Sequence, residues 1–154
     1  MTENKPSTTE VEASTESRSA ADRFVGFKAN ETIKITDRMV RQFAEMSGDD
    51  NPIHLDDEYA KKTRFKKRIA HGMILGALVS RLLNQKIGSG GIYLAQTLKF
   101  SNPVYIDEDI TFEFEIIKLH AKRGFGIVET IAKNSNGEVV LKGEATIMMS
   151  MGIK

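Results

Sequence analysis

The amino-acid sequence predicts an α+β domain in which an antiparallel sheet wraps around one long central helix. The segment from Gly72 to about Asn84 is apolar on almost every side, as expected for a helix buried in the middle of a domain. Apolar and polar residues alternate from Ile110 to Ile116, as they do in half-buried strands. Helices come first and long strands follow, which favours an antiparallel sheet curled over the central helix.

The length and composition are those of one globular domain. The chain has 154 residues, of which 40% are hydrophobic and 28% charged, so it can bury a sizeable core. It contains no cysteine, which excludes disulfides and a cysteine nucleophile and makes the cytoplasm the simplest expected compartment. No apolar run is long enough to cross a membrane, and no signal peptide is visible. The net charge of +1 indicates no particular partner.

Residues 1–22 are predicted to be a disordered tail, and residues 23–154 to form the domain. The tail is rich in Ser, Thr, Glu and Ala and lacks Leu, Ile and Phe, so it cannot bury enough apolar surface to fold.

The first part of the domain, Phe24 to Ile33, predicts an extended strand. A helix follows, with Thr36 as its N-cap and Gly48 just past its end. Its predicted core-facing residues share one side at helical spacing: Met39, Val40, Phe43 and Met46.

The second half of the chain predicts strands joined by turns. Ile87 to Gly91 is a Gly- and Ser-rich turn, and Asn136-Gly137 predicts a type I′ hairpin. The predicted strands are Tyr93 to Ser101, Ile110 to Ile116, Phe125 to Ala132 and Val139 to Ile147.

A carboxylate and an imidazole, Asp49 and His54, lie five positions apart on either side of Asn51-Pro52. Pro52 lacks an N–H and pushes the preceding residue towards extended conformations, so we expect a fixed loop here and no helix. Such a pair can hold a water molecule, one group taking a proton while the other orients or returns it. The residues alone also allow a structural interpretation, in which Asp49 caps a turn and His54 packs in the core.

Basic side chains crowd between this loop and the apolar helix. They favour either a solvated face or a site for phosphates; nucleic acid is not expected, because the rest of the chain has no comparable basic density. With three histidines, no cysteine and no His-x-x-x-His pairing, no metal is expected, and no cofactor-binding motif occurs. The basic residues are Lys61, Lys62, Arg64, Lys66, Lys67 and Arg68.

The region from Phe43 to Ser80 resembles the MaoC-like, (R)-specific enoyl-CoA hydratase family. Weaker similarity continues through Gly91 to Val104, so the resemblance covers nearly everything except the tail. It implies a hot-dog fold, in which an antiparallel sheet wraps a long central helix, and a homodimer. The motifs that carry it are Ser47-Gly48-Asp49-Asp50-Asn51-Pro52-Ile53-His54 and Arg68-Ile69-Ala70-His71-Gly72-Met73.

The resemblance implies reversible hydration of a trans-2-enoyl-CoA to an (R)-3-hydroxyacyl-CoA. Asp49 and His54 match the residues that activate the water in this family. The backbone N–H of Gly72 matches the donor that polarises the thioester carbonyl. His71 and His120 are expected to be structural.

Four further residues are predicted to support substrate binding. Asn51 is expected to orient the loop, and Ser80 matches a helix position that supports the site in relatives. Lys66 and Lys67 are proposed to bind the coenzyme A phosphates at a tunnel mouth. Three other functions stay open: a 3-hydroxyacyl-[acyl-carrier-protein] dehydratase, a hot-dog acyl-CoA thioesterase, and a non-catalytic module that binds acyl thioesters.

Overall fold

The computed structural model describes residues 24–88, 90–120 and 122–149, and the predicted tail, residues 1–22, lies outside them. No helix in these ranges is long and apolar enough to span a membrane. The elements in chain order are β1 (Lys28–Lys34), α1 (Asp37–Ser47), α2 (Pro52–Leu55), α3 (Asp57–Lys62), α4 (Gly72–Leu82), a π-helical turn (Leu83–Ile87), β2 (Ile92–Gln96), β3 (Lys99–Phe100), β4 (Asp109–His120), β5 (Phe125–Lys133) and β6 (Val139–Met148).

The strands form one antiparallel sheet in the order β1-β4-β5-β6-β2, and β3 also pairs with β6. The long strands β4, β5 and β6 follow one another as hairpins. The first strand joins the far edge of β4, where Lys28 lies opposite Glu115 and Lys34 opposite Asp109. The opposite edge of the sheet is β2.

The sheet packs its apolar face on α4, which confirms the central-helix arrangement. The alternation predicted for β4 is confirmed, because its apolar residues are buried while their neighbours are more exposed. The expectation that α4 is buried on every side was wrong: Met73 is 52% exposed, and Ala77 and Ser80 are exposed too. A single sheet covers the helix from one side only. The shared core includes Ile74, Leu75, Val79 and Leu82 of α4 with Ile110, Phe112, Phe114 and Ile116 of β4.

The ends of α1 follow the predicted caps. Thr36 accepts from the backbone N–H of Met39, and Gly48 ends the helix with φ 76°. Val40 and Phe43 reach the core as expected. Met46 was predicted to do so as well, but it is 76% exposed, because the last turn of α1 extends beyond the core.

The predicted strand Tyr93 to Ser101 is split into β2 and β3. At the break, Thr97 exchanges two hydrogen bonds of 2.9 Å with the backbone of Glu144 on β6. The chains cross so closely that a Cβ at Gly143 would lie 1.8 Å from the carbonyl oxygen of Thr97. The regular pairing between the strands is therefore interrupted at a place where glycine lets the two backbones approach closely.

The hairpin between β5 and β6 exists, but its predicted type was wrong. Gly137 has φ 78°, whereas Asn136 does not adopt the positive φ that a type I′ turn requires. The side-chain oxygen of Asn134 accepts from the N–H groups of Asn136 and Glu138, each at 3.0 Å. This side-chain bonding stabilises a longer turn that ends in a left-handed glycine.

Candidate active site

Asp49 lies in the short turn between α1 and α2. Ser47 Oγ donates to the carbonyl of Phe43 at 2.6 Å and accepts from the N–H of Asp49 at 3.1 Å. Asp49 Oδ1 in turn accepts from the N–H of Asn51 at 3.4 Å. The end of α1 therefore determines where the backbone of Asp49 lies, while its carboxylate remains exposed.

His54 lies on a helical turn, so the prediction of a helix-free loop was wrong. Pro52 begins α2, where a missing N–H is harmless because the first N–H groups of a helix have no intrahelical partner. Asn51 caps this helix by accepting from the N–H of Ile53 at 3.2 Å. Proline is excluded from the interior of a helix but not from its start. The fixed φ of Pro52 and the cap by Asn51 still restrict the backbone of this turn.

The ring of His54 is oriented by one backbone carbonyl. Nδ1 donates to the carbonyl oxygen of Ile69 at 2.7 Å, so the neutral ring presents Nε2 as its acceptor. Burial lowers the pKa of His54 below its ordinary value of 6.5; the Ile69 carbonyl opposes this, His71 adds to it, and Asp49 opposes it. The imidazole is therefore neutral at neutral pH and can accept a proton.

Asp49, His54 and His71 come together at one place, where one side-chain N or O atom from each lies within 4.8 Å of the others. The rings of His54 and His71 are stacked, with centroids 3.8 Å apart and planes inclined by 30°. Nδ1 of His54 and Nε2 of His71 already bond backbone carbonyls, of Ile69 and Asp49, which leaves one nitrogen of each ring without these bonds. The carboxylate of Asp49 and the Nε2 acceptor of His54 can hold a water molecule between them.

The N-terminus of α4 forms the next part of the site. Gly72 is the first residue of this helix, and helix geometry leaves its N–H without an intrahelical partner. A Cβ at this position would lie 2.9 Å from Cε1 of Phe100, so glycine permits the close contact with that ring. A backbone N–H at the positive end of a helix can stabilise an oxyanion.

A cavity of ≈ 370 Å³, within the size range of small-molecule sites, is lined by His54, His71 and Gly72, whereas Asp49 does not line it. Its lining is mainly apolar and includes His54, Gly72 and Phe100. Arg64 lies in the lining with its guanidinium 4.8 Å from the ring centroid of Phe65. The sequence placed Arg64 in the basic run but did not distinguish it from its neighbours.

Within one copy of the chain, three of the predicted substrate-binding residues lie elsewhere. Lys66 and Lys67 line a separate groove of ≈ 470 Å³. Ser80 is exposed on α4, about 12 Å along the helix axis from Gly72. The structure thus brings together Asp49, His54 and Gly72.

Arg68 acts as a structural clamp, because its guanidinium binds carboxylates and a backbone carbonyl of the protein itself. Its guanidinium lies 2.6 Å from Asp37 Oδ1 and 2.9 Å from Asp57 Oδ1, and it donates to the carbonyl of His54 at 3.3 Å. Arg41 and Arg68 both lower the pKa of Asp37. The clamp ties α1 and α3 to the helical turn that carries His54.

We expect Arg68→Met to lower the free energy of unfolding by about 1–2 kcal/mol, because the side chain is only 11% exposed and its loss leaves polar partners unmatched. Arg41→Met is the matched control. Arg41 also pairs with Asp37, but its side chain is 58% exposed, so its loss should cost no more than ~0.5 kcal/mol. Urea denaturation measures both variants, and equal losses would contradict the clamp.

Comparison with known proteins assigns the family. The MaoC like domain matches residues 24–139, and the chain belongs to this family. Its antiparallel sheet on a central helix is accordingly the hot-dog fold.

The most similar proteins include hydratases. The chain is 36% identical to the (R)-specific enoyl-CoA hydratase of Aeromonas caviae over 85% of this chain and 98% of that protein. An R-hydratase of Pseudomonas aeruginosa, solved in its unliganded form, has 42% identity and a TM-score of 0.81, covering 85% of this chain and 84% of that one. A mitochondrial 3-hydroxyacyl-[acyl-carrier-protein] dehydratase of Arabidopsis thaliana is 34% identical over 81% of this chain and 76% of that protein.

Proposed function

We propose that this protein is a hydro-lyase that hydrates trans-2-enoyl-CoA to (R)-3-hydroxyacyl-CoA, reversibly. The observation that carries the proposal is the meeting of Asp49 and His54 beside a mainly apolar cavity that also reaches Gly72. The hydratase relatives support the same reaction. No metal or organic cofactor enters the proposed chemistry.

The proposed mechanism uses one water molecule held by Asp49 and His54. Neutral His54 accepts a proton from the water at Nε2, while the carboxylate of Asp49 holds the other O–H and orients the oxygen. The oxygen bonds to C3, and the electron pair of the double bond moves towards the thioester carbonyl. The N–H of Gly72 stabilises the resulting oxyanion. Return of the proton from His54 to C2 completes the addition of water.

The direct test is the loss of enoyl absorbance when the purified protein is mixed with crotonyl-CoA. Hydration removes the absorbance without releasing thiol and gives the R product. Release of free thiol would instead identify a thioesterase. Binding of the thioester without turnover would identify a binding module.

The carrier of the acyl group defines a second candidate, since one relative is named a dehydratase of acyl-carrier-protein thioesters. The same pair of side chains would catalyse the reverse elimination of water. Measuring kcat/KM for matched coenzyme A and carrier-protein substrates separates the two candidates. A higher value for the carrier-protein thioester would favour the dehydratase.

We expect kcat/KM to stay constant near neutral pH and to fall at acid pH with an apparent pKa below 6.5. The reason is that His54 must be neutral to accept a proton, and burial lowers its pKa from 6.5. Activity is therefore present above the lowered pKa and is lost as the pH falls through it. A pH–rate profile with crotonyl-CoA measures this limb, and an acid limb at or above 6.5 would contradict the assignment.

We retain Lys66 and Lys67 as proposed contacts for the phosphates of coenzyme A, and we add Arg64, which lines the cavity. Reversing both lysine charges together should raise KM roughly fivefold and leave kcat unchanged, because exposed charge pairs contribute modestly. Lys62→Glu is the matched control, since it reverses an exposed lysine in the same run. Steady-state kinetics measures all variants, and an unchanged KM in the double variant would exclude the two lysines.

We propose a homodimer in which a second copy covers the exposed side of α4 and pairs along β2. Exposed apolar side chains on both elements support this: Met73 is 52%, Ile92 59% and Leu94 49% exposed. Ser80 shares the exposed side of α4, so it would approach the interface. Light scattering tests the dimer, and a molar mass equal to the 17.2 kDa chain would exclude it.

The cytoplasm stays the proposed compartment, supported by the cysteine-free composition and testable by cell fractionation.

A further inference from the structure

A buried histidine with no part in the proposed proton transfer contacts both residues that carry it out. His71 is 2% exposed and lies at the start of α4. We propose that His71 is a positioning residue that sets the geometry of Asp49 and His54 relative to Gly72. The inference rests on the proposed hydration reaction and assigns a further residue to it.

His71 joins the elements of the site through one ring. Its Nε2 donates to the backbone carbonyl of Asp49 at 2.9 Å. The same ring stacks on His54 at a centroid distance of 3.8 Å and contacts Phe43 at 4.9 Å with a tilt of 50°. The rings of Phe43, His54 and His71 come from α1, α2 and the N-cap of α4, respectively.

The bond to Asp49 reaches the backbone of the residue whose carboxylate holds the water. The preceding end of α1 fixes the N–H of Asp49 through Ser47, and His71 fixes its carbonyl from the other side. Gly72 follows His71 directly in the chain. One side chain therefore links the carboxylate, the imidazole and the oxyanion donor, whose mutual distances decide whether a proton can move.

The hydrogen bonding of His71 is not that of an ordinary helix cap. Its side chain makes no capping bond to α4. Because Nε2–H donates to Asp49, Nδ1 carries the lone pair, and this buried atom has no hydrogen-bond partner among the described residues. An unpaired buried acceptor lowers stability, and natural proteins keep few of them. If the ring only filled space, an apolar ring would avoid the cost of the unpaired Nδ1. The hydrogen bond from Nε2 to the carbonyl of Asp49 therefore explains why this residue is a histidine.

Two substitutions separate the two contacts of His71. His71→Gln can keep a donor to the carbonyl of Asp49 but loses the stacked ring, whereas His71→Phe keeps a ring but loses the donor. We expect each to lower kcat by about 10- to 100-fold, since small misplacements of reacting groups are that costly. KM should change by less than about threefold, because His71 lines the cavity with a side chain that is only 2% exposed, and Gly72 and the other lining residues remain.

His120→Phe is the matched control for the same chemical change. His120 packs on Phe125 at the β4–β5 hairpin, with ring centroids 4.3 Å apart, and takes no part in the site. Its kcat and KM should equal those of the wild type. Thermal melting of all variants identifies any loss of fold, and the glutamine variant keeps the test valid if the phenylalanine variant does not fold.

NMR tests the positioning independently of activity. Stacking places the ring protons of His54 in the shielding cone of His71, so their upfield shift should disappear in His71→Gln. Lower kcat with unchanged KM, together with this change, supports the proposal. Wild-type kcat in both variants, or parallel losses of kcat, substrate binding and melting temperature, would overturn it. If the wild type hydrates no thioester, the proposed function fails, while unchanged His54 shifts in His71→Gln would overturn the positioning role separately.

Discussion

Asp49→Asn is expected to lower kcat for enoyl-CoA hydration by about 10²- to 10⁴-fold, the range typical of a lost acid–base group. The amide keeps the size of the side chain and can still accept from the N–H of Asn51, which Asp49 bonds through Oδ1. It removes the charge that orients the water and stabilises the protonated form of His54. Initial rates with crotonyl-CoA measure the effect.

Asp50→Asn is the control for this substitution. Asp50 is the next residue in the same turn and is also an exposed carboxylate, so the change in net charge is identical. We expect it to keep kcat within about twofold, because Asp50 is not among the groups that meet at the site and exposed charges contribute little. Both variants should unfold at the same urea concentration, because neither removes buried contacts. Equal losses of activity in the two variants would mean that the turn responds to charge alone.

His54→Asn is expected to reduce kcat by a similar factor, about 10²- to 10⁴-fold. The asparagine amide can still donate to the carbonyl of Ile69, which Nδ1 of His54 bonds at 2.7 Å in the wild type. It has no equivalent of Nε2, so no group remains to take the proton from water. Residual activity should also lose its acid limb, which a pH–rate profile would detect.

The double variant Asp49→Asn with His54→Asn distinguishes a cooperating pair from two independent contributions. Residues that act on one water molecule lose most of their effect together, so the double variant should be little slower than the slower single variant. If the loss of kcat in the double variant equals the product of the two single losses, Asp49 and His54 act in separate steps. The comparison uses the same crotonyl-CoA assay.

The sequence predicts those parts of the fold that depend on local periodicity. The alternation in β4 and the apolar run in α4 determine which residues reach the core, and Thr36 and Gly48 determine the ends of α1. The exposure of one side of α4 could not be predicted, because it depends on how many layers cover the helix. The effect of Pro52 could not be predicted from its presence alone, because a proline interrupts a helix interior but is tolerated at the first residue of a helix.

The site was predictable in its chemistry but not in all of its members. Arg64 and Lys66 carry the same charge in the same run, yet only Arg64 lines the cavity. Lys66 adopts a left-handed backbone with φ 65°, which changes the chain direction between them, and no local pattern predicts this for a lysine. The position of His71 against His54 depends on how α4 meets α2, which is a tertiary contact.

The pairing of β1 with β4 has a consequence for synthesis of the chain. The two strands lie roughly 80 residues apart in sequence, so at typical ribosomal speeds β1 emerges roughly 4–16 s before its partner exists. During that interval β1 is an unpaired strand, the kind of segment that associates with other nascent chains. Lys28 and Lys34 at the two ends of β1, with Glu31 between them, place charges along the unpaired strand. The lysines that later pair with Glu115 and Asp109 thus also give the unpaired strand the kind of charged edge that disfavours strand-to-strand association.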